Sequence, residues 1–183
     1  MIRYYVNLPK LTLHPVSLEY HHYFKNVYQT KVNRFFYNQE FGNMLKSLGI
    51  YVSFIETFFS EPNLVQGIHT DDDGGDYVKL NWVYCRGKSK MNWYRIRDNI
   101  NLNIEDIRRL TQAGTPYLIY KLDQVENVAS DSLTFPSLVQ VGCPHNVVNE
   151  DDYRLCLSVH LNNIYTKKRL TMQEAYERLK FLT

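Results

Sequence analysis

The residues best equipped for chemistry sit in two short stretches. The first is Gly67-Ile68-His69-Thr70-Asp71, which opens into Asp72-Asp73-Gly74-Gly75-Asp76. In an extended strand, residues i and i+2 point to the same side. His69 and Asp71 therefore present an imidazole nitrogen and a carboxylate oxygen to one metal ion. A histidine from a distant strand would complete a face of two imidazoles and one carboxylate, which leaves three positions of an octahedral ion open. A three-residue motif arises readily by chance, so it gains weight only from a matching partner further down the chain.

The second stretch is Val141-Gly142-Cys143-Pro144-His145-Asn146-Val147-Val148-Asn149, with Arg154 nine residues after His145. Glu150-Asp151-Asp152 reads as a turn, and a hairpin there brings Arg154 alongside the site without making it a ligand. An inward-facing guanidinium needs an anion, because an unpaired buried charge is costly. A dicarboxylate whose far end forms a bidentate pair with Arg154 supplies one.

These stretches need strands to carry them, and the hydrophobic pattern provides them. Residues 38–48 read as a helix, with Asn38 as cap, Phe41, Met44, Leu45 and Leu48 on one face, and Gly49 in the left-handed region after it. From Ile50 the period changes to two or to short apolar runs. Strands are expected over 51–59, 64–69, 77–84, 91–96, 117–122, 124–128, 138–141 and 154–161. Residues 103–111 read as a short helical excursion. Thr171-x-x-Glu174 is a capping box ahead of a C-terminal helix over about 171–182. Many short strands imply a mainly β sandwich, jelly roll or barrel. The organisation expected is one domain, with its core at about 50–161 and a helical or irregular extension over 1–49.

Composition bounds the function. Lys plus Arg number 21 and Asp plus Glu 19 in 183 residues, a net charge of +2. That balance speaks against extended nucleic-acid binding, and no apolar run is long enough for a membrane helix. Met1-Ile2-Arg3-Tyr4-Tyr5 lacks the layout of a signal peptide. Cys85, Cys143 and Cys156 are odd in number and scattered, and they read as small buried hydrophobes in a reducing compartment. The expectation is a cytoplasmic protein. Aromatic residues make up 14% of the chain, 15 of them Tyr, which leans the composition towards strands.

His69-x-Asp71, His145 and Arg154, in that order, resemble the Fe(II)/2-oxoglutarate-dependent oxygenases. The wider wording is similar to small aspartyl/asparaginyl-hydroxylase-like and phage-type members of that superfamily. It includes Phe58-Phe59-Ser60-Glu61-Pro62-Asn63, Leu80-Asn81-Trp82, Asn92-Trp93-Tyr94 and Pro144-His145-Asn146, and covers about residues 40–161. The resemblance implies a cupin-like double-stranded β-helix with flanking helices. It implies His69, Asp71 and His145 as iron ligands and Arg154 as the partner of the distal carboxylate of 2-oxoglutarate. Some relatives place Ser two residues after this Arg, where Cys156 stands here. Ser158, two further on, is the nearest hydroxyl on that side. Asn81, Tyr84 or Lys79 on the next strand is expected to supply another polar contact to the co-substrate, with register deciding which. Val83 stands where relatives often carry Pro. The activity implied is hydroxylation of a small-molecule or peptidyl substrate, coupled to decarboxylation of 2-oxoglutarate to succinate and carbon dioxide.

Blander readings apply to the other candidates. His14, His21, His22 and His160 read as surface or satisfied structural residues. Asp72, Asp73 and Asp76 read as a solvated turn, since the terminal Glu of a calcium loop is missing. Trp82 and Trp93 read as core. Arg108-Arg109 and Lys167-Lys168-Arg169 read as solvated loop faces. Two other functional classes compete: a jelly-roll protein that binds a metal or ligand without catalysis, and a cupin isomerase. The isomerase normally carries H-x-H with a Glu, which this chain lacks, and has no use for Arg154.

Overall fold

A computed structural model describes residues 4–17, 29–71, 74–110 and 116–183. Among these residues, twelve strands form two antiparallel six-stranded sheets. The strands are β1 (Tyr5–Asn7), β2 (Gln29–Lys31), β3 (Ile50–Ser60), β4 (Ile68–Asp71), β5 (Val78–Cys85) and β6 (Ser89–Ile96), followed by β7 (Arg108–Leu110), β8 (Pro116–Tyr120), β9 (Val125–Asp131), β10 (Ser137–Gln140), β11 (His145–Asn149) and β12 (Arg154–Asn163). One sheet runs β1-β10-β5-β12-β3-β2 and the other β7-β8-β4-β11-β6-β9. Successive strands from β3 to β6 alternate between the sheets, as do β9 to β12. The result is a jelly-roll sandwich, with helices α1 (Gln39–Ser47), α2 (Ile104–Ile107) and α3 (Met172–Leu179) outside the sheets.

The expected mainly β class is the one observed, and the helix ends follow the signals in the sequence. Asn38 Oδ1 accepts from the backbone N–H groups of Glu40 and Phe41, and Gly49 has φ 73° after α1. Thr171 and Glu174 form the reciprocal capping box at α3. The region expected to be helical or irregular, 1–49, also contributes β1 and β2. These short edge strands pair with β10 and β3 but are too brief for a period to show. Among the described residues no helix is long and apolar enough to cross a membrane.

Side chains of β5 and β12 alternate between two environments. Leu80 and Trp82, with Leu157, Val159 and Leu161, face outward into a core shared with Ile55, α1 and α3. Each such side chain contributes roughly 1.5–3 kcal/mol by burial. Lys79 and Asn81, with Arg154, Cys156 and Ser158, point inward between the sheets. Part of that interior is apolar, built of Met91, Trp93, Leu133, Val139 and Val141. Trp82 and Trp93 are both core residues, as expected. The rest of the interior is a polar cleft.

Candidate metal centre

His69 and Asp71 lie on β4 and His145 opens β11. Antiparallel pairing makes His145 the direct cross-strand partner of His69. The two rings stand 4.5 Å apart between centroids. Asp71 Oδ1 lies 3.6 Å from His69 Nε2 and 3.9 Å from His145 Nε2. One donor atom from each of the three residues falls within 4.8 Å of the others. The i, i+2 spacing of β4 has therefore done what the pleat requires.

Both imidazoles are held in one tautomer. His69 Nδ1 is 2.8 Å from the Gly67 carbonyl oxygen, and His145 Nδ1 is 3.0 Å from that of Cys143. A carbonyl only accepts, so each Nδ1 carries the proton and each Nε2 keeps its lone pair for a metal. Burial, with repulsion from His69, pulls the His145 imidazole down to about 4 against a weaker pull from Asp71. It is neutral at physiological pH, as a ligand must be. Burial alone would raise the Asp71 carboxyl. The Lys79 ammonium, with help from His69, outweighs that and holds it well below the ordinary carboxylate range.

Neighbouring side chains brace the ligands. Asn146 Oδ1 accepts from Asn92 Nδ2 at 3.0 Å and from the Tyr94 hydroxyl at 3.1 Å, while its own Nδ2 donates to the Gln66 carbonyl at 3.1 Å. This ties β11 to β6 and to the approach to β4. Asn149 Nδ2 donates to the carbonyls of Glu61 at 2.7 Å and Asp152 at 2.5 Å, fixing the turn that delivers Arg154. That turn is not a hairpin as expected from the sequence. β11 and β12 lie in different sheets, so the chain crosses the sandwich and Arg154 faces the cleft from the sheet opposite the histidines.

The cleft has a volume of about 70 Å³ and is partly open. Its walls include His69, Asp71 and His145 on one side and Lys79, Asn81, Arg154, Cys156 and Ser158 on the other. Arg154 is 3% exposed and its Nε has no hydrogen-bond partner. Ser158 Oγ donates to Asn81 Oδ1 at 2.7 Å, which turns the Asn81 amide nitrogen away from that contact and leaves it as a donor. Tyr84 does not join them. It has the opposite parity to Lys79 and Asn81 on β5, packs against the outer core and hydrogen-bonds His14. Register thus turns Lys79 and Asn81, and not Tyr84, towards the cleft.

Other candidates resolve more simply. His160 is a satisfied buried residue, its Nε2 2.8 Å from Glu56 Oε2. Asp76 accepts from Gln140 Nε2 at 2.8 Å and from the backbone of Met172, while Asp72 and Asp73 lie outside the described residues, as do His21 and His22. Arg169 is not a solvated loop residue, since its guanidinium lies 4.4 Å over the Tyr77 ring. The cysteines are free. Burial pushes the Cys143 thiol up to about 12 and also raises that of Cys156, against Arg154, so neither is a thiolate at neutral pH.

One group escaped the sequence reading: Glu56, His160 and Lys79 as a connected set. Lys79 Nζ is 2.6 Å from Asp71 Oδ2 and 3.5 Å from Glu56 Oε2. The available signal was a charged residue interrupting an apolar strand, as in Val78-Lys79-Leu80 and Ile55-Glu56-Thr57.

Fold and site together define a jelly-roll sandwich carrying a His-Asp-His candidate metal centre. No known family model matches the chain, and no curated protein matches it.

Proposed function

We propose that this protein is a non-heme Fe(II)/2-oxoglutarate-dependent oxygenase that hydroxylates a small-molecule or peptidyl substrate. The observation that carries the reading is Arg154: a buried guanidinium with an orphaned Nε, facing the same cleft as two imidazoles and a carboxylate. The donor set fits a divalent ion with three positions left open, and a buried guanidinium whose Nε has no partner fits the far carboxylate of a dicarboxylic acid.

Bound iron supplies the activation of dioxygen, coupled to conversion of 2-oxoglutarate to succinate and carbon dioxide. The protein's own residues do the rest. His69, Asp71 and His145 fix the ion. Arg154 pairs with the distal carboxylate, and the Asn81 amide, oriented by Ser158, donates a hydrogen bond to the co-substrate. Met91, Val141 and Val147 line the apolar side of the cleft and limit water.

Turnover without a prime substrate tests this reading. Protein supplied with Fe(II), ascorbate, air and 2-oxoglutarate should form succinate slowly; His145→Ala should abolish it, and Arg154→Met should suppress it at the 2-oxoglutarate concentration that saturates the parent protein. Succinate formation that is unchanged in both variants, or absent in the parent protein, would contradict the assignment.

A further inference from the structure

Asp71 offers its two carboxylate oxygens to different partners. Oδ1 faces the imidazoles, while Oδ2 is taken by Lys79 Nζ at 2.6 Å. Lys79 belongs to the opposite sheet and reaches across the sandwich to make this contact. It is 5% exposed and is itself anchored. Glu56 Oε2 holds it at 3.5 Å, and Glu56 in turn is held by His160 at 2.8 Å and by Gln29 at 3.2 Å. His160 and Lys79 are cross-strand partners on β12 and β5, so the sheet register places the whole set.

A carboxylate with both oxygens free readily binds a metal ion through both. Bidentate binding by Asp71 would consume one of the open positions that a chelating co-substrate requires. We propose that Lys79 is a positioning residue that confines Asp71 to one ligand oxygen, so that the positions needed by the co-substrate stay open. The inference rests on the proposed metal centre. It predicts more than a neutralising role. A lysine that merely compensated a buried carboxylate would, on removal, change the affinity for the ion and leave the geometry of the bound ion alone. A lysine that restrains Oδ2 would, on removal, leave metal binding intact or tighter and change that geometry.

Manganese(II) in place of iron separates these cases, because water-proton relaxation counts the water molecules in its open positions. Lys79→Met should bind manganese at least as tightly as the parent protein, with about one water fewer on the ion, and should bind 2-oxoglutarate at least about tenfold more weakly. Lys79→Arg, which restores a cation beside Oδ2, should recover both properties. Lys79→Ala, which has no donor for Oδ2, serves the same test if the Met variant does not fold, as judged by circular dichroism. A parental water count in the Met or Ala variant overturns the role of Lys79 and leaves the metal centre standing. Failure of the parent protein to bind manganese overturns the metal centre, and this role with it.

Discussion

His69 and His145 are direct partners across β4 and β11, and each ring directs Nδ1 to a backbone carbonyl two residues before it, Gly67 in one case and Cys143 in the other. The same local device thus sets both imidazoles. The two Nε2 lone pairs converge on the Asp71 side of the cleft. Preorganisation of this kind lowers the cost of binding, since the ligands lose little freedom when the ion arrives.

Removing one member of the pair should cost the metal and spare the fold. His145→Ala is expected to weaken divalent metal binding by at least about 100-fold, while costing only about 1–3 kcal/mol of stability through lost packing and the lost hydrogen bond to Cys143. Calorimetric titration with manganese, alongside a thermal melt of the metal-free protein, checks both.

Arg154 should behave in the opposite way. Arg154→Met is expected to leave metal affinity unchanged and to weaken 2-oxoglutarate binding about 100-fold, within the range seen when one partner of a buried charge pair is truncated. Arg154→Lys should recover part of the loss, because an ammonium cannot form the bidentate pair. The metal-free Met variant should be as stable as the parent or more so, since an unpaired buried charge has gone. Co-substrate titration of the metal-loaded variants, with denaturant melts, measures each effect.

Acid should destabilise the protein in two stages. Burial, with the Lys79 ammonium nearby, pulls His160 down from 6.5 to about 4, so the unfolded chain takes up a proton that the folded one refuses. Stability is present above pH 6.5 and is lost as pH falls through that window, by up to about 3 kcal/mol. Burial would raise Glu56, but its hydrogen bond to His160 and the charge of Lys79 bring it from 4.5 to about 2. Its contribution is lost between those values. His145 is pulled down to about 4 as well and acts in the same window, so His160→Gln should roughly halve the slope of the upper stage and leave the lower one. Urea melts at a series of pH values would show this, and an unaltered slope between pH 6.5 and 4 would contradict it.

Gly142 should tolerate no side chain. A Cβ there would lie 1.6 Å from the Gly75 carbonyl oxygen, a contact with backbone that cannot swing aside. The close approach packs the loop before β5 against the loop that leads into His145. Gly142→Ala is expected to destabilise the protein by about 2 kcal/mol or more and to weaken metal binding by moving Cys143 away from His145 Nδ1. Thermal melts and metal titration together test it.

What the sequence made legible was local. The pleat places His69 beside Asp71, Asn38 and Thr171 announce their helices, and the density of short apolar runs announces the jelly roll. Pairings across the sandwich were hidden. Nothing near Asp71 in the chain points to Lys79, because the contact depends on how one sheet packs on the other. Tyr84 looked eligible because strand parity cannot be assigned without register, and the outer core claims its face. The step from His145 to Arg154 looked like a hairpin, since a turn signal does not say whether the next strand stays in the same sheet. The tyrosine excess gains a partial explanation. Tyr5 stacks on Trp93, Tyr94 braces Asn146, and the Tyr37 hydroxyl accepts from the backbone of Ile55, each pairing an apolar ring with the apolar interior or a polar tip with a buried polar group.

In the proposed site, one cleft holds Fe(II) through His69, Asp71 and His145 while Arg154 holds 2-oxoglutarate on the same ion. Anaerobic visible absorption reads this directly, because chelation of Fe(II) by the 2-oxo acid produces a weak charge-transfer band. That band should appear at one equivalent of each, be absent in His69→Ala and require far more 2-oxoglutarate in Arg154→Met. A parent protein that binds Fe(II) and shows no band at saturating 2-oxoglutarate would contradict it.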